Sequence, residues 1–241
     1  MHGIFKRMRD DYARAANKRE AAQPIEITTQ CAIWIMLATT CRVGELTMAR
    51  WEHVNFERAV WFIPKENVKD RVSSLTVGLS EFALGYFRRL YDRSGDTDWC
   101  FPNYAGTSHI STQAMTKQIS DRQTMFQRGR DGGPRAVMTH RCQDNRLVLQ
   151  GGKHGAWTAH DLRRTGATLM QSLGVALDVI DRCQNHVLPG SKVRRHICTT
   201  TMRRKSGRLG ICWGRSWRPS LPVIEEAAEP VTNCRKTWCK P

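Results

Sequence analysis

Apolar side chains crowd most densely between Thr28 and Thr40, where Ala32, Ile33, Ile35, Met36 and Leu37 leave no polar face. That density predicts a buried helix, interrupted at Thr39-Thr40-Cys41. A second helix is predicted from near Arg42, since Glu45, Leu46 and Met48 favour helix and Trp51 would close its apolar face. The period then shortens. Ala59 to Pro64 and Ser73 to Val77 read as two strands joined by a charged turn from Lys65 to Arg71, a small hairpin between helices. Ser80 opens another helix with Leu84, Phe87 and Tyr91 on one stripe, ended by Ser94-Gly95. Ser111 to Arg128 is polar but free of proline and predicts helix. Asp131-Gly132-Gly133-Pro134 breaks the chain, and Val137 to Lys153 has no clean period. Thr158 caps a helix carrying Leu162, Gly166, Leu169 and Leu173 on one face, with Gly174 as its stop, and Ala176 to Gln184 forms a last helix leading into Asn185-His186. Residues 1–24 are polar and charged, and read as a solvated helix running into a linker at Ala21-Ala22-Gln23-Pro24.

Composition narrows the partners. The 241 residues suit one sizeable domain with a real core. A formal charge of +16 favours a polyanion, because clustered Lys and Arg release the counterions condensed on nucleic acid. Charge alone leaves a ribosomal or merely soluble basic protein open. The basicity is not confined to the tail, since 29 Lys and Arg against 19 acids stand in the first 196 residues. Nine cysteines, scattered from Cys31 to Cys239 without close pairs in the first 196 residues, suit a reducing compartment better than a disulfide framework. The longest apolar run, Cys31 to Ala38, is far short of the ~20 residues that span a bilayer. No apolar h-region follows the basic Met1 to Arg9, so a cytoplasmic protein is expected. There is no internal repeat and no Gly-rich phosphate loop.

Candidate chemistry sits in two strings. His160 and Arg163, three apart on a predicted helix, share a face and can converge on one small anion. Such a pair alone is weak evidence. Its context, Ala159-His160-Asp161-Leu162-Arg163-Arg164-Thr165-Gly166-Ala167-Thr168, together with Thr40-Cys41-Arg42-Val43-Gly44-Glu45-Leu46 far upstream, resembles the two arginine boxes of the tyrosine recombinases, specifically phage-type and island-type integrases. The resemblance runs from about Ile25 to His196. It implies a tyrosine recombinase catalytic-domain fold, mainly α with a small antiparallel β-sheet (α+β), in agreement with the pattern of elements.

The resemblance also implies roles. Arg42 and Arg163 would grip the non-bridging oxygens of a scissile phosphate, a task for which a planar, permanently charged fork is suited, and would stabilise transition-state charge without a metal. Lys69, in the predicted hairpin turn, would protonate the departing deoxyribose oxygen; Lys65 and Arg71 share that turn and remain rivals. His160 would act as general base or phosphate donor, and His186, in Cys183-Gln184-Asn185-His186-Val187, as a second phosphate-bonding histidine. The blander readings are that Arg42 pairs with Glu45, that Arg163 pairs with a local acid, that Lys69 belongs to a solvated turn and that His186 caps a helix end. Asp161 is read as a local cap. No cofactor and no metal is implied.

The nucleophile is missing. The family's attacking tyrosine is expected at position 197, which holds Ile197, and the last tyrosine of the chain is Tyr104. From Ile197 the composition changes to scattered Cys and Trp without an apolar stripe. A one-base shift of frame across Ile197 to Gly214 accommodates codons for a helix-forming string beginning Tyr-Leu-His-His. Cys198 is a poor substitute, since in-line attack tolerates little displacement, and the tail cysteines lack the close pairs of a zinc knuckle. The resulting expectation is a charged remnant over 1–24, an integrase catalytic domain over 25–196 and an out-of-frame, poorly ordered basic tail over 197–241. The expected function is site-specific recombination of double-stranded DNA, in a copy disabled by its lost nucleophile. A non-catalytic DNA-binding remnant is the alternative, and a type IB topoisomerase is less favoured by the wording of the boxes. Intact members assemble as a tetramer on DNA; this chain is expected to be monomeric.

Overall fold

The computed structural model describes residues 1–69, 71–129, 132, 133, 135 and 142–185. In chain order the helices are α1 (His2–Arg14), α2 (Ile27–Thr39), α3 (Val43–Thr47), α4 (Glu81–Ser94), α5 (Thr112–Ser120), α6 (Ala159–Ser172) and α7 (Leu177–Cys183). Strands β1 (Val54–Asn55), β2 (Val60–Ile63) and β3 (Leu75–Gly78) lie between α3 and α4. Among the described residues the protein is thus mainly helical with one three-stranded antiparallel sheet, ordered β1-β2-β3.

α2 is the axis of the core, buried from Thr29 to Leu37 and again at Thr39. α4 and α6 pack against it, as its lack of a polar face requires. α1 departs from the solvated helix predicted for this stretch. Ile4, Phe5 and Met8 recur at helical spacing, and Phe5 and Met8 are buried in the same core, with the Phe5 ring edge-on to Trp34 at 6.3 Å. The charges of α1 take the other side, so the apolar stripe was short but sufficient.

The sheet is tied to the helices by alternation. Trp61 and Ile63 point inward and Phe62 outward, and the Trp61 ring meets Phe87 of α4 at 5.8 Å. The β2–β3 register sets Trp61 opposite Val77 and Ile63 opposite Leu75. β1 is an addition to the expected hairpin. α3 is shorter than predicted: Trp51 leaves it for a 3₁₀ turn, Trp51–His53, where its indole donates to the Ser94 carbonyl at 2.9 Å. α5 also stops early, at Ser120 rather than near Arg128. The chain turns there because the Arg122 and Gln123 side chains are drawn inward to backbone and carboxylate partners.

Cys31, Cys41 and Cys100 are free and buried. Burial pushes the Cys31 thiol up to about 11 and Cys41 up to about 12, the latter despite a hydrogen bond with Thr39, and Cys100 is raised as well. A folded-state value above the unfolded one, near 9.0, gives stability that is complete below the unfolded value and is lost as pH rises through the folded one. The melting temperature is therefore expected to fall between about pH 9 and pH 11, and Cys41→Ala to flatten that fall. Melting curves across this range check it; a level midpoint would contradict it.

Candidate functional site

Arg42 stands at the start of α3 as its N-cap, fixed from both ends by Glu45. The Arg42 backbone N–H donates to Glu45 Oε2 at 2.8 Å and its Nη1 donates to Glu45 Oε1 at 2.9 Å. The Arg42–Glu45 pairing that the sequence left as a blander reading is therefore present. It does not close the guanidinium off, because the Arg42 side chain is 28% exposed and Nη2 has no hydrogen bond to a described residue. Glu45 is almost wholly buried, so its carboxylate orients the arginine from beneath.

Arg163 comes from the second turn of α6 and is 3% exposed. Among the described residues it forms no ion pair with an acid. Nη1 donates to the Thr40 carbonyl at 2.5 Å and Nη2 to the Gln184 carbonyl, while Gln184 Nε2 returns a bond to the Arg163 carbonyl at 3.3 Å. Arg163 thus joins the end of α2 to the end of α7. Burial, and next the positive charge of Arg42, pull its guanidinium below the ordinary arginine value, with Glu45 opposing. Among the described residues, two guanidinium groups and one carboxylate act on one another here, a net positive set.

Two backbone details bring α6 close enough. Thr40 takes the left-handed conformation (φ 54°, ψ 21°) as the C-cap of α2, a strained choice for a β-branched residue. It turns the carbonyl that Arg163 uses. One turn along α6, a Cβ on Gly166 would lie 2.7 Å from Thr40 Cγ2 and 2.8 Å from the Leu37 carbonyl oxygen, so only glycine allows this approach.

His160 is exposed on the first turn of α6, three positions before Arg163, and has no hydrogen bond to a described residue. Asp161 acts as the local cap: Thr158 donates to its Oδ2 from the backbone at 2.9 Å and from the hydroxyl at 2.8 Å. Burial raises the Asp161 carboxyl, but the Thr158 hydrogen bonds together with Arg164 and His160 outweigh it and hold the group below the usual range. Lys69 is exposed between β2 and β3, and no described hydrogen bond or ion pair links it to either arginine. Lys65 and Arg71, in the same turn, are exposed as well. His186 and Ile197 lie outside the described residues, as does the tail from 197. Among the described residues, no three His, Cys, Asp or Glu side chains are grouped to hold a metal ion, and no helix is long and apolar enough to cross a membrane.

The structure therefore sets Arg42 and Arg163 within electrostatic reach of each other, and among the described residues no hydrogen bond or ion pair joins Lys69 to either. Sequence reasoning missed Thr40 and Gln184, whose contributions are mainly backbone carbonyls.

A helical domain of this kind with a small antiparallel sheet is the fold of tyrosine recombinase catalytic domains. The structure of the integrase from mycobacterium phage Brujita superimposes with a TM-score of 0.54 at 16% identity, over 82% of this chain and 54% of that one. XerA recombinase gives 0.50 at 15% identity, over 84% of this chain and 62% of that one. Residues 6–191 match the phage integrase family, and the chain belongs to it. The match opens inside α1, ahead of Ile25, where the resemblance in motifs begins. The prophage integrase IntA of Escherichia coli (strain K12) is 26% identical over 171 residues, 71% of this chain and 34% of IntA. The chain thus spans about a third of the length of that relative.

Proposed function

We propose that this chain is the catalytic domain of a site-specific integrase acting on double-stranded DNA, in a copy that holds the scissile phosphate but does not cut it. The observation that carries the proposal is that Arg42, bonded to the buried Glu45, and Arg163, bonded to the Thr40 carbonyl, lie within electrostatic reach of each other. Two like charges drawn together over one buried carboxylate are unfavourable by themselves and become favourable when an anion arrives. A phosphodiester fits, since two guanidinium groups can meet its two non-bridging oxygens with charge-assisted hydrogen bonds.

In this reading phosphate binding is the work of Arg42 and Arg163. His160, exposed at the start of the same helix, and His186 supply further hydrogen bonds or move a proton. Lys69 hands a proton to the leaving deoxyribose oxygen from its flexible turn. No metal or cofactor is needed for these steps. Ile197 has no group able to attack phosphorus, and a one-base frameshift before it accounts for the composition of residues 197–241. Residues 25–196 remain the working unit of the proposal. The family's strand exchange assembles several subunits on DNA; with residues 197–241 departing from the family's pattern, this chain stays monomeric.

The test is an assay for covalent adducts on duplex substrates, run beside binding at several salt concentrations. Salt-sensitive binding without a denaturant-resistant adduct is expected. Ile197→Tyr alone should restore little adduct, because the surrounding segment is altered too. An adduct formed by the unaltered chain would refute the loss of cleavage, and absence of binding at low salt would refute the DNA-holding role. Resequencing the codons for Arg195 to Trp213 decides the frameshift directly.

A further inference from the structure

Outside the arginine pair, the described residues contain a second polar cluster, and it is buried. Arg122, Gln123 and Thr124 are 2%, 1% and 2% exposed. Arg122 donates to Asp144 Oδ2 at 2.6 Å and to the Gln23 carbonyl at 2.5 Å. The Thr124 hydroxyl donates to Asn145 Oδ1 at 3.0 Å, and its backbone N–H to the Asp144 carbonyl at 3.2 Å. Gln123 is thus held from both sides.

Its carboxamide addresses one residue twice. Gln123 Oε1 accepts from the Trp157 N–H at 2.9 Å, and Nε2 donates to the Trp157 carbonyl at 2.8 Å, with a longer bond to the Ile119 carbonyl at 3.3 Å. The Trp157 indole donates to the Leu147 carbonyl at 2.8 Å. A double bond of this kind, like one residue pair of an antiparallel ladder, fixes orientation as well as distance. The next residue, Thr158, caps α6. At about 1.5 Å of rise per residue, His160 and Arg163 follow the cap within ~8 Å along one stiff helix. A change of direction at Trp157 is therefore carried to both.

We propose that Gln123 is a positioning residue: its carboxamide sets the first turn of α6 and thereby where His160 and Arg163 stand relative to Arg42. The proposal rests on the reading of the arginine pair as a phosphate grip. It requires a side chain that both accepts and donates at Trp157. Gln123→Met keeps the length and removes both bonds. Gln123→Glu keeps the acceptor, loses the donor and sets a carboxylate against the Trp157 carbonyl.

The experiment measures affinity for a labelled DNA duplex over a series of salt concentrations, with circular dichroism confirming that each variant is folded. Every phosphate that is no longer neutralised lowers the slope of log affinity against log salt by about 0.9. Both Gln123 variants are expected to lower it by about one. An unchanged slope in a folded variant reduces Gln123 to a structural role and overturns the proposal. Arg42→Gln, which keeps a donor for Glu45, is the control: a slope it leaves untouched refutes the phosphate grip and the proposal with it, whereas a slope lowered by Arg42→Gln alone refutes only the positioning. If neither Gln123 variant folds, hydrogen exchange of the unaltered protein decides. DNA should then slow the Trp157 amide and the first turn of α6 together, and protection of that turn without Trp157 overturns the proposal.

Discussion

Gly166→Ala is expected to lower the melting temperature by roughly 4–8 °C, although alanine is the better helix former by about 1 kcal/mol. The added methyl would meet the Thr40 Cγ2 at 2.7 Å and the Leu37 carbonyl oxygen at 2.8 Å. The Leu37 oxygen belongs to the backbone of a buried helix and cannot swing aside, so α6 must move off α2. Overpacking costs about 1–3 kcal/mol; a clash with fixed backbone takes the upper end, and less about 1 kcal/mol of helix propensity the net loss of ~2 kcal/mol corresponds to the stated shift for a chain of this size. Gly166→Val should lose more. The same displacement lengthens the Arg163 to Thr40 bond, so DNA affinity should fall alongside stability. Thermal melts of the two variants check the order; an alanine variant as stable as the parent would mean that the close approach of α6 to α2 is wrong.

Arg163→Met is expected to have the larger effect, because two things fail together. The Thr40 and Gln184 carbonyls lose their donor, at about 1–3 kcal/mol for each group left unpaired. Some of this is offset, since a desolvated charge and its repulsion with Arg42 also disappear. The phosphate grip loses one of its two forks, and affinity for duplex DNA at low salt should drop at least about tenfold, as for the loss of a charge-assisted pair. Arg163→Lys should not restore either property, because one ammonium cannot reproduce a planar fork that reaches two carbonyls. Denaturant titration and fluorescence anisotropy read the two effects separately. A lysine variant with parental stability and affinity would show that the fork is dispensable.

The long helices were legible because several signals agreed. α2 announced itself by an apolar run without a polar side, α4 by the Ser80 cap and its stripe, and α6 by Thr158 with Asp161. The elements that went astray were those decided by distant partners. Trp51 leaves α3 because its indole reaches Ser94, forty-three positions away. α5 ends where Arg122 finds Asp144 and the Gln23 carbonyl. Neither choice is visible in local propensity. The candidate site divides in the same way: the arginines stand in strings that can be recognised, while the atoms that hold Arg163 are carbonyls of Thr40 and Gln184, and a carbonyl carries no signature in the identity of its residue. The buried Gln123 was missed for a related reason, since a glutamine in a polar stretch reads as solvent-facing until its partner at Trp157 is known.

The same uniform burial that makes α2 the axis of the core has a consequence during synthesis. α6, one of its principal covers, ends at Ser172, far downstream of Thr39. At about 5–20 residues per second, a ribosome needs on the order of ten seconds to make the intervening chain. Through that interval the segment Cys31 to Leu37 has nothing from α6 to shield it. A chaperone that recognises short apolar segments would find its first docking place there, and the yield of folded protein would depend on how soon that place is covered.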